Sequence, residues 1–235
     1  MNIEIVPVTF SSCGRRPVEL EGIFHICGGE RPRPAAVICH PHPLGGGSMH
    51  NSVVSAVARA LSATGVMALR FNFRGVGHSG GNHDNGRNEQ EDVAGAVRYL
   101  LDQPSVDPGR VCVAGYSFGA WVALSFAETS PHVAAVAAVS LVSWNYDTDF
   151  HRFVSQPGAP VGTQQFDPGF LQSFARPKLL IVGEHDSFAP PKQLRALTDQ
   201  IPEPRALHIV PNTDHFLRGC EQEVGNRVAE FLAGV

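Results

Sequence analysis

The sequence predicts an α/β fold: a mostly parallel, doubly wound sheet of about eight strands with helices on both faces and an antiparallel N-terminal edge. Three observations predict it. Short, continuously apolar runs such as Ala35–Cys39, Val111–Ala114 and Leu179–Val182 alternate with segments of helical period. Strands apolar on both faces belong in a parallel sheet covered by helices on both sides. Two strand-like runs at the start of the chain fall outside that alternation and therefore form the edge.

In order, the strand-like runs Ile3–Phe10 and Val18–Ile26 are joined by a turn around Gly14, and Ala35–Cys39 is a third strand. Asn51–Ala63 has helical spacing through Val53, Val54, Val57 and Leu61, with Gly65 as its stop. Val66–Phe73 reads as a strand. Asn88–Leu101 reads as a helix, with Asn88 and Glu91 spaced for a capping box. Val111–Ala114 is a buried strand, Phe118–Glu128 a helix and Val133–Val142 a strand. The chain ends with the strand Leu179–Val182, a helix over Pro190–Gln200, the strand Ala206–Val210 and a last helix over Phe216–Ala233. Only the stretch from about 144 to 176 breaks the rhythm. It is rich in aromatics (Trp144, Tyr146, Phe150, Phe153, Phe166, Phe170, Phe174), Pro and Gly, and its length without a clear period predicts a small cap-like insertion. The aromatics suit local core and an acyl pocket equally. The expected organisation is one domain over residues 1–235 carrying that insertion.

Composition narrows the function. Of the 235 residues, 43% are hydrophobic and 17% charged, ordinary for a soluble chain. Net charge is −4 and no run of Lys or Arg occurs, which argues against nucleic-acid binding. The longest apolar stretch, Val133–Val142, is far short of the ~20 residues that span a bilayer, and no targeting segment is visible at the start. The five cysteines (Cys13, Cys27, Cys39, Cys112 and Cys220) are odd in number and scattered. They read as reduced thiols in a cytoplasmic protein, with Cys39 and Cys112 buried in strands. Oligomeric state is not encoded in any pattern here.

Gly115-Tyr116-Ser117-Phe118-Gly119 matches G-x-S-x-G, directly after an apolar strand and before a helical segment. That context is what a nucleophile elbow requires: a serine on a sharp strained turn, flanked by small residues where strand and helix approach closely. An ordinary strand–helix turn is the bland alternative. A serine hydroxyl needs a base, and a histidine base needs a carboxylate to orient it. Of the later histidines, His215 lies in the loop after Ala206–Val210, at the same sheet edge as Ser117. His208 lies within that strand, and His132 lies at the opposite edge. Asp186 follows the strand Leu179–Val182 and supplies the acid, with Glu184 as rival. Asp214 is too close in sequence to His215 to reach its ring, and suits a loop-stabilising role.

A tetrahedral oxyanion needs two amide donors. One is Phe118, next to the nucleophile. The other belongs to the loop His40-Pro41-His42-Pro43-Leu44-Gly45-Gly46-Gly47, where proline has no N–H; that leaves His42 or Leu44, of which His42 is the expectation. The spacing of His40, His42, His50, His78 and His83 fits no common zinc pattern, so no metal is expected. Gly75-Val76-Gly77-His78-Ser79-Gly80 matches a dinucleotide fingerprint, but no helix is predicted after it and no acid ends a second strand at the required distance; no cofactor is expected.

With these residues in place, the chain resembles the α/β-hydrolase superfamily, and more closely small bacterial cytosolic serine esterases related to the dienelactone hydrolases. The resemblance is carried by Cys39-His40-Pro41-His42-Pro43-Leu44-Gly45-Gly46, by the run from Arg70 through Arg74 and Gly75 to Ser79, and by Gly115–Gly119. It implies cofactor-free cleavage of a small-molecule ester by a carboxylesterase-like serine hydrolase. Dienelactone hydrolases proper use a cysteine nucleophile where this chain has Ser117. Gly45 stands where that group often carries an aromatic, which widens the pocket mouth. The expected reaction proceeds through an acyl-enzyme on Ser117. A thioesterase or peptidase would use the same triad, and a non-catalytic binding protein on this scaffold is the alternative from another class.

Overall fold

A computed structural model describes residues 3–29, 32–142 and 168–235. Among them, eight strands form one sheet: β1 (Ile3–Ser11), β2 (Glu19–Cys27), β3 (Arg33–Cys39), β4 (Met67–Phe71), β5 (Val106–Tyr116), β6 (Val136–Val139), β7 (Lys178–Gly183) and β8 (Arg205–Val210). The helices are α1 (Ser52–Thr64), α2 (Glu89–Leu101), α3 (Phe118–Thr129), α4 (Pro191–Gln200) and α5 (Glu221–Ala233). The spatial order is β1-β2-β4-β3-β5-β6-β7-β8. β1 and β2 pair antiparallel, as does β2 with β4, and the strands from β4 to β8 run parallel. The predicted fold class and its antiparallel edge are therefore observed.

Alternation along the strands splits the core. Ala35, Val37 and Cys39 of β3 face one side with Val93, Val97, Val122 and Leu194, from α2, α3 and α4. Ala36 and Ile38 face the other with Val53, Val57, Val224 and Val228, from α1 and α5. α1 starts where Asn51 accepts the amides of Val53 and Val54 on Oδ1 (3.0 and 3.4 Å), a cap that contributes about 1 kcal/mol.

The order of strands places the site. After β3 the chain crosses by α1 to β4 on one side, whereas β5 lies on the other. The loops leaving β3 and β5 consequently diverge, and a crevice opens between them at the carboxyl ends of the strands.

Four local expectations need correction. Asn88 does not cap α2: its backbone is already helical (φ −77°, ψ −16°), and its Nδ2 donates to Asp84 Oδ2 at 2.7 Å. The last helix begins at Glu221 rather than Phe216, because Leu217 (φ 54°) and Gly219 (φ 79°) hold left-handed backbone before it. β6 ends at Val139, since Ser140 also has positive φ (48°). β4 stops at Phe71, where the Asn72 side chain turns to accept the Met49 amide and donate to Glu21.

The cap-like reading of 144–176 lies largely outside the described residues. Its last part, a short 3-10 helix over Pro168–Gln172 and the turn after it, puts Leu171 and Phe174 into the core and packs Phe170 against it. Arg176 donates to the carbonyls of Ser130 and Val133 (2.5 and 2.9 Å), tying this stretch to the end of α3.

Candidate active site

The turn between β5 and α3 leaves Ser117 at φ 56°, ψ −117°, a backbone conformation that L-residues adopt only when their surroundings force it. The surroundings here are two glycines. A Cβ on Gly115 would lie 2.1 Å from the Gly119 carbonyl oxygen, so the helix can fold back onto the strand only if position 115 has no side chain. The Ser117 amide donates to the Val139 carbonyl of β6 (2.8 Å), and the hydroxyl is left facing the crevice.

Ser117 Oγ lies 3.0 Å from His215 Nε2. On the other side of the imidazole, His215 Nδ1 lies 2.8 Å from Asp186 Oδ2 and 3.0 Å from Oδ1. A carboxylate only accepts, so Nδ1 carries the ring proton and Nε2 presents a lone pair to the serine O–H. All three residues are buried, with exposures of 2%, 4% and 2% for Ser117, His215 and Asp186. The structure thus gathers three loops, after β5, β7 and β8, into one hydrogen-bonded line.

Each member is held from behind. Asp186 Oδ1 accepts the amides of Phe188 (2.9 Å) and Ala189 (2.8 Å), which fixes the carboxylate plane. The Tyr116 hydroxyl donates to the His215 carbonyl (2.8 Å), anchoring the histidine loop to the residue next to the nucleophile. Burial pushes the Tyr116 phenol well above its ordinary value, so it stays a donor. The Phe188 ring lies against the imidazole at 4.9 Å between centroids. These supports come from residues with no motif of their own. Tyr116 alone had a readable clue, its place inside the elbow.

The remaining candidates are placed as follows. Glu184 is exposed and accepts the Asn212 amide (3.0 Å), away from the imidazole. Asp214 accepts the Phe216 amide (2.9 Å), a loop-stabilising bond. His208 sits on β8 and meets Glu223 at 3.1 Å.

The loop after β3 closes the other side of the crevice. Leu44 N donates to the His42 ring at Nδ1 (3.1 Å), Gly45 N and Gly47 N to the His42 carbonyl (3.1 and 3.0 Å), and Gly46 N to the Pro43 carbonyl (3.0 Å). The Leu44 amide is thereby spent inside the turn. The loop is pinned from below by His40, which donates from Nδ1 to the Pro41 carbonyl (2.6 Å) and accepts the Phe73 amide on Nε2 (3.1 Å). Burial lowers this imidazole to about 4, so it stays neutral. A pocket at the crevice is lined by His42, the Gly45–Gly47 backbone, Asn51, Ser117, His215 and Phe216. Leu44 and Phe216 are exposed.

The Gly75–Gly80 turn opens no helix. Gly75 N bonds the Gly80 carbonyl (3.0 Å), the next helix is α2 at Glu89, and Arg74 is locked to Asp92 beside it. Among the described residues, no three His, Cys, Asp or Glu side chains are grouped to hold a metal ion, and no helix is long and apolar enough to cross a membrane.

Comparison with known proteins decides the family. The model of the prolyl oligopeptidase family matches residues 52–234. The chain belongs to the prolyl oligopeptidase family. Its members' serine-hydrolase fold recurs in solved structures similar to this chain. An α/β serine hydrolase homologue from Coxiella burnetii is 30% identical, with a TM-score of 0.74 over 95% of this chain and 96% of that one. A Xanthomonas campestris protein, described as an α/β serine hydrolase without lid, is 25% identical with a TM-score of 0.75 over 97% and 94%. An uncharacterized protein of Rickettsia prowazekii is 30% identical over 205 residues, 85% of this chain and 78% of its own length. Family and fold together make the chain an α/β-hydrolase, as its motifs imply. The narrower likeness to dienelactone-related esterases stays a reading of those motifs.

Proposed function

We propose that the protein is a serine hydrolase that cleaves small carboxylic esters through an acyl-enzyme. The observation that carries this reading is the continuous line from Ser117 Oγ through His215 to the Asp186 carboxylate, at 3.0 and 2.8 Å. As the hydroxyl attacks the ester carbonyl, His215 Nε2 takes its proton. The tetrahedral intermediate collapses, and His215 returns that proton to the leaving alcohol. Water then repeats the sequence on the acyl group, restoring Ser117. Asp186 remains ionised and steadies the imidazolium.

For the oxyanion, the reading uses the amides of Phe118 and His42. Phe118 begins α3, where amides point out of the helix end toward developing negative charge. His42 sits at the crevice on the facing loop, whose next four amides bond within the turn. The reaction needs no cofactor. The reading also keeps the enzyme in the cytoplasm, where its five unpaired thiols stay reduced.

The family is named for oligopeptidases, so peptide cleavage by the same triad is the second reading. The experiment is a screen of purified protein against p-nitrophenyl esters of graded acyl length, a matched thioester and a peptide p-nitroanilide. Ester turnover that vanishes in Ser117→Ala supports the proposal. Turnover confined to the anilide, or retained in Ser117→Ala, overturns it.

A further inference from the structure

Glu89 is a fully buried carboxylate (0% exposed) in the first turn of α2, outside the triad. Its two oxygens accept the amides of Asp84 (Oε1, 2.8 Å) and Gly86 (Oε2, 2.8 Å), closing the loop before the helix onto itself. Burial alone would raise this carboxyl. The facing His83 ring and the Asp84 amide outweigh burial and hold it below the usual carboxylate range. A buried anion is costly unless its surroundings compensate it.

His83 belongs to those surroundings. Its Nδ1 lies 2.7 Å from Glu89 Oε1, with the side chain 12% exposed. Neither ring nitrogen makes a hydrogen bond of ordinary geometry among the described residues. The carboxylate therefore lies off the line of the ring N–H, and the contact is electrostatic more than directional. Such a contact fixes where the ring sits without dictating which atom it serves. What the ring touches is more specific. It packs edge-on against His42 at 4.8 Å between centroids and against Phe118 at 5.4 Å, and those two rings are themselves 4.9 Å apart. His42 and Phe118 come from opposite walls of the crevice, one from the loop after β3 and one from the start of α3. Their side chains meet over a third ring that belongs to neither wall.

We infer that His83, anchored by Glu89, is a positioning residue that holds His42 and Phe118 in register for oxyanion binding. The inference rests on the proposed reaction, because those two residues are its assigned amide donors. Aromatic packing of this kind is directional enough to set a spacing, and a displacement of about 1 Å in a catalytic group costs roughly 10²-fold in rate. Neither residue touches substrate in this account; both act through the backbone of the pair they brace.

The test uses the full chain carrying His83→Ala, His83→Phe and, as a control for general weakening of the same loop, Asn88→Ala. Asn88 bonds the Asp84 side chain of the same loop at 2.7 Å. With p-nitrophenyl acetate, His83→Ala lowers kcat by about 10- to 100-fold with KM nearly unchanged, on the scale of a partly lost oxyanion donor. Labelling of Ser117 by a fluorophosphonate slows in the same proportion, because the phosphonate oxygen occupies the oxyanion position. His83→Phe keeps the ring and recovers most of kcat. Asn88→Ala lowers the unfolding temperature and leaves kcat near wild type. Should His83→Ala not fold, His83→Gln, which removes the ring but can still reach Glu89, shows the same loss of kcat. A drop in His83→Ala or His83→Gln no larger than in Asn88→Ala, or no rescue by His83→Phe, overturns the positioning role while leaving the triad intact. A wild-type chain that neither turns over ester nor labels brings down the proposed reaction, and this inference with it.

Discussion

Gly119 lies so close to the end of β3 that a Cβ there would sit 2.4 Å from the Cys39 carbonyl oxygen and 2.5 Å from that of His40. The helix carrying the Phe118 amide is thus pressed directly onto the strand that launches the His42 loop. Gly119→Ala puts a methyl into the backbone of Cys39 and His40, with no flexible side chain to yield. The expected result is loss of ester turnover well beyond the loss of stability, read as kcat alongside a urea unfolding curve. A variant with wild-type kcat would show that the two loops are positioned independently.

The histidine loop hangs on one tyrosine. Tyr116→Phe deletes the hydroxyl that donates to the His215 carbonyl and leaves the ring in place. A hydrogen bond of this kind contributes about 0.5–1.5 kcal/mol. Stability should fall by about that amount, and kcat should fall severalfold as the imidazole loses its fixed approach to Ser117. Unchanged kcat, measured on the same protein whose melting temperature has dropped, would make Tyr116 a purely structural tether.

Arg74 and Asp92 form a buried ion pair beneath the glycine turn. Arg74 Nη2 lies 2.7 Å from Asp92 Oδ1, and the Arg74 amide and Nε reach the same carboxylate at 3.0 Å. Burial pushes the Asp92 carboxyl up, and Arg74 opposes that rise. Asp92→Ala leaves a guanidinium without its partner and should cost about 3–5 kcal/mol. Chemical denaturation reads this directly; a loss under ~1 kcal/mol would mean that water replaces the carboxylate.

Acid should weaken the fold through His40. Folded, this imidazole stays neutral down to about 4, whereas an unfolded histidine takes its proton near 6.5. Between those values the unfolded chain binds more protons, so stability drops as pH falls from 6.5 toward 4 and flattens below that. Buried His25, also lowered to about 4, adds to the same slope. His40→Gln can keep one donor and one acceptor without titrating, and should make the urea midpoint less dependent on pH across that window. An equal slope in variant and wild type would remove His40 from the account.

Ser117, Asp186 and His215 can be picked out of the sequence because each follows a strand-like run, continuously apolar before Ser117 and Asp186 and interrupted only by His208 over Ala206–Val210 before His215. All three are then placed at one sheet edge by topology alone. The sheet is legible for the same reason. What escaped depends on backbone that no residue type announces. Leu217 and Ser140 adopt positive φ without being glycine, which delays α5 and shortens β6. The Asn88–Glu91 spacing imitates a capping box, but Glu89 takes the amides of the preceding turn and holds Asn88 in helical backbone. The contact between His83 and the His42 and Phe118 rings joins two loops and the start of α3, and local pattern cannot register it.

The most direct measurement is the mass of tryptic peptides after a brief reaction of the whole protein with a fluorophosphonate. One adduct on the peptide containing Ser117, absent in Ser117→Ala and strongly slowed in His215→Ala, is the predicted result. Adducts elsewhere at equal rate, or labelling of Ser117 that does not depend on His215, would contradict it.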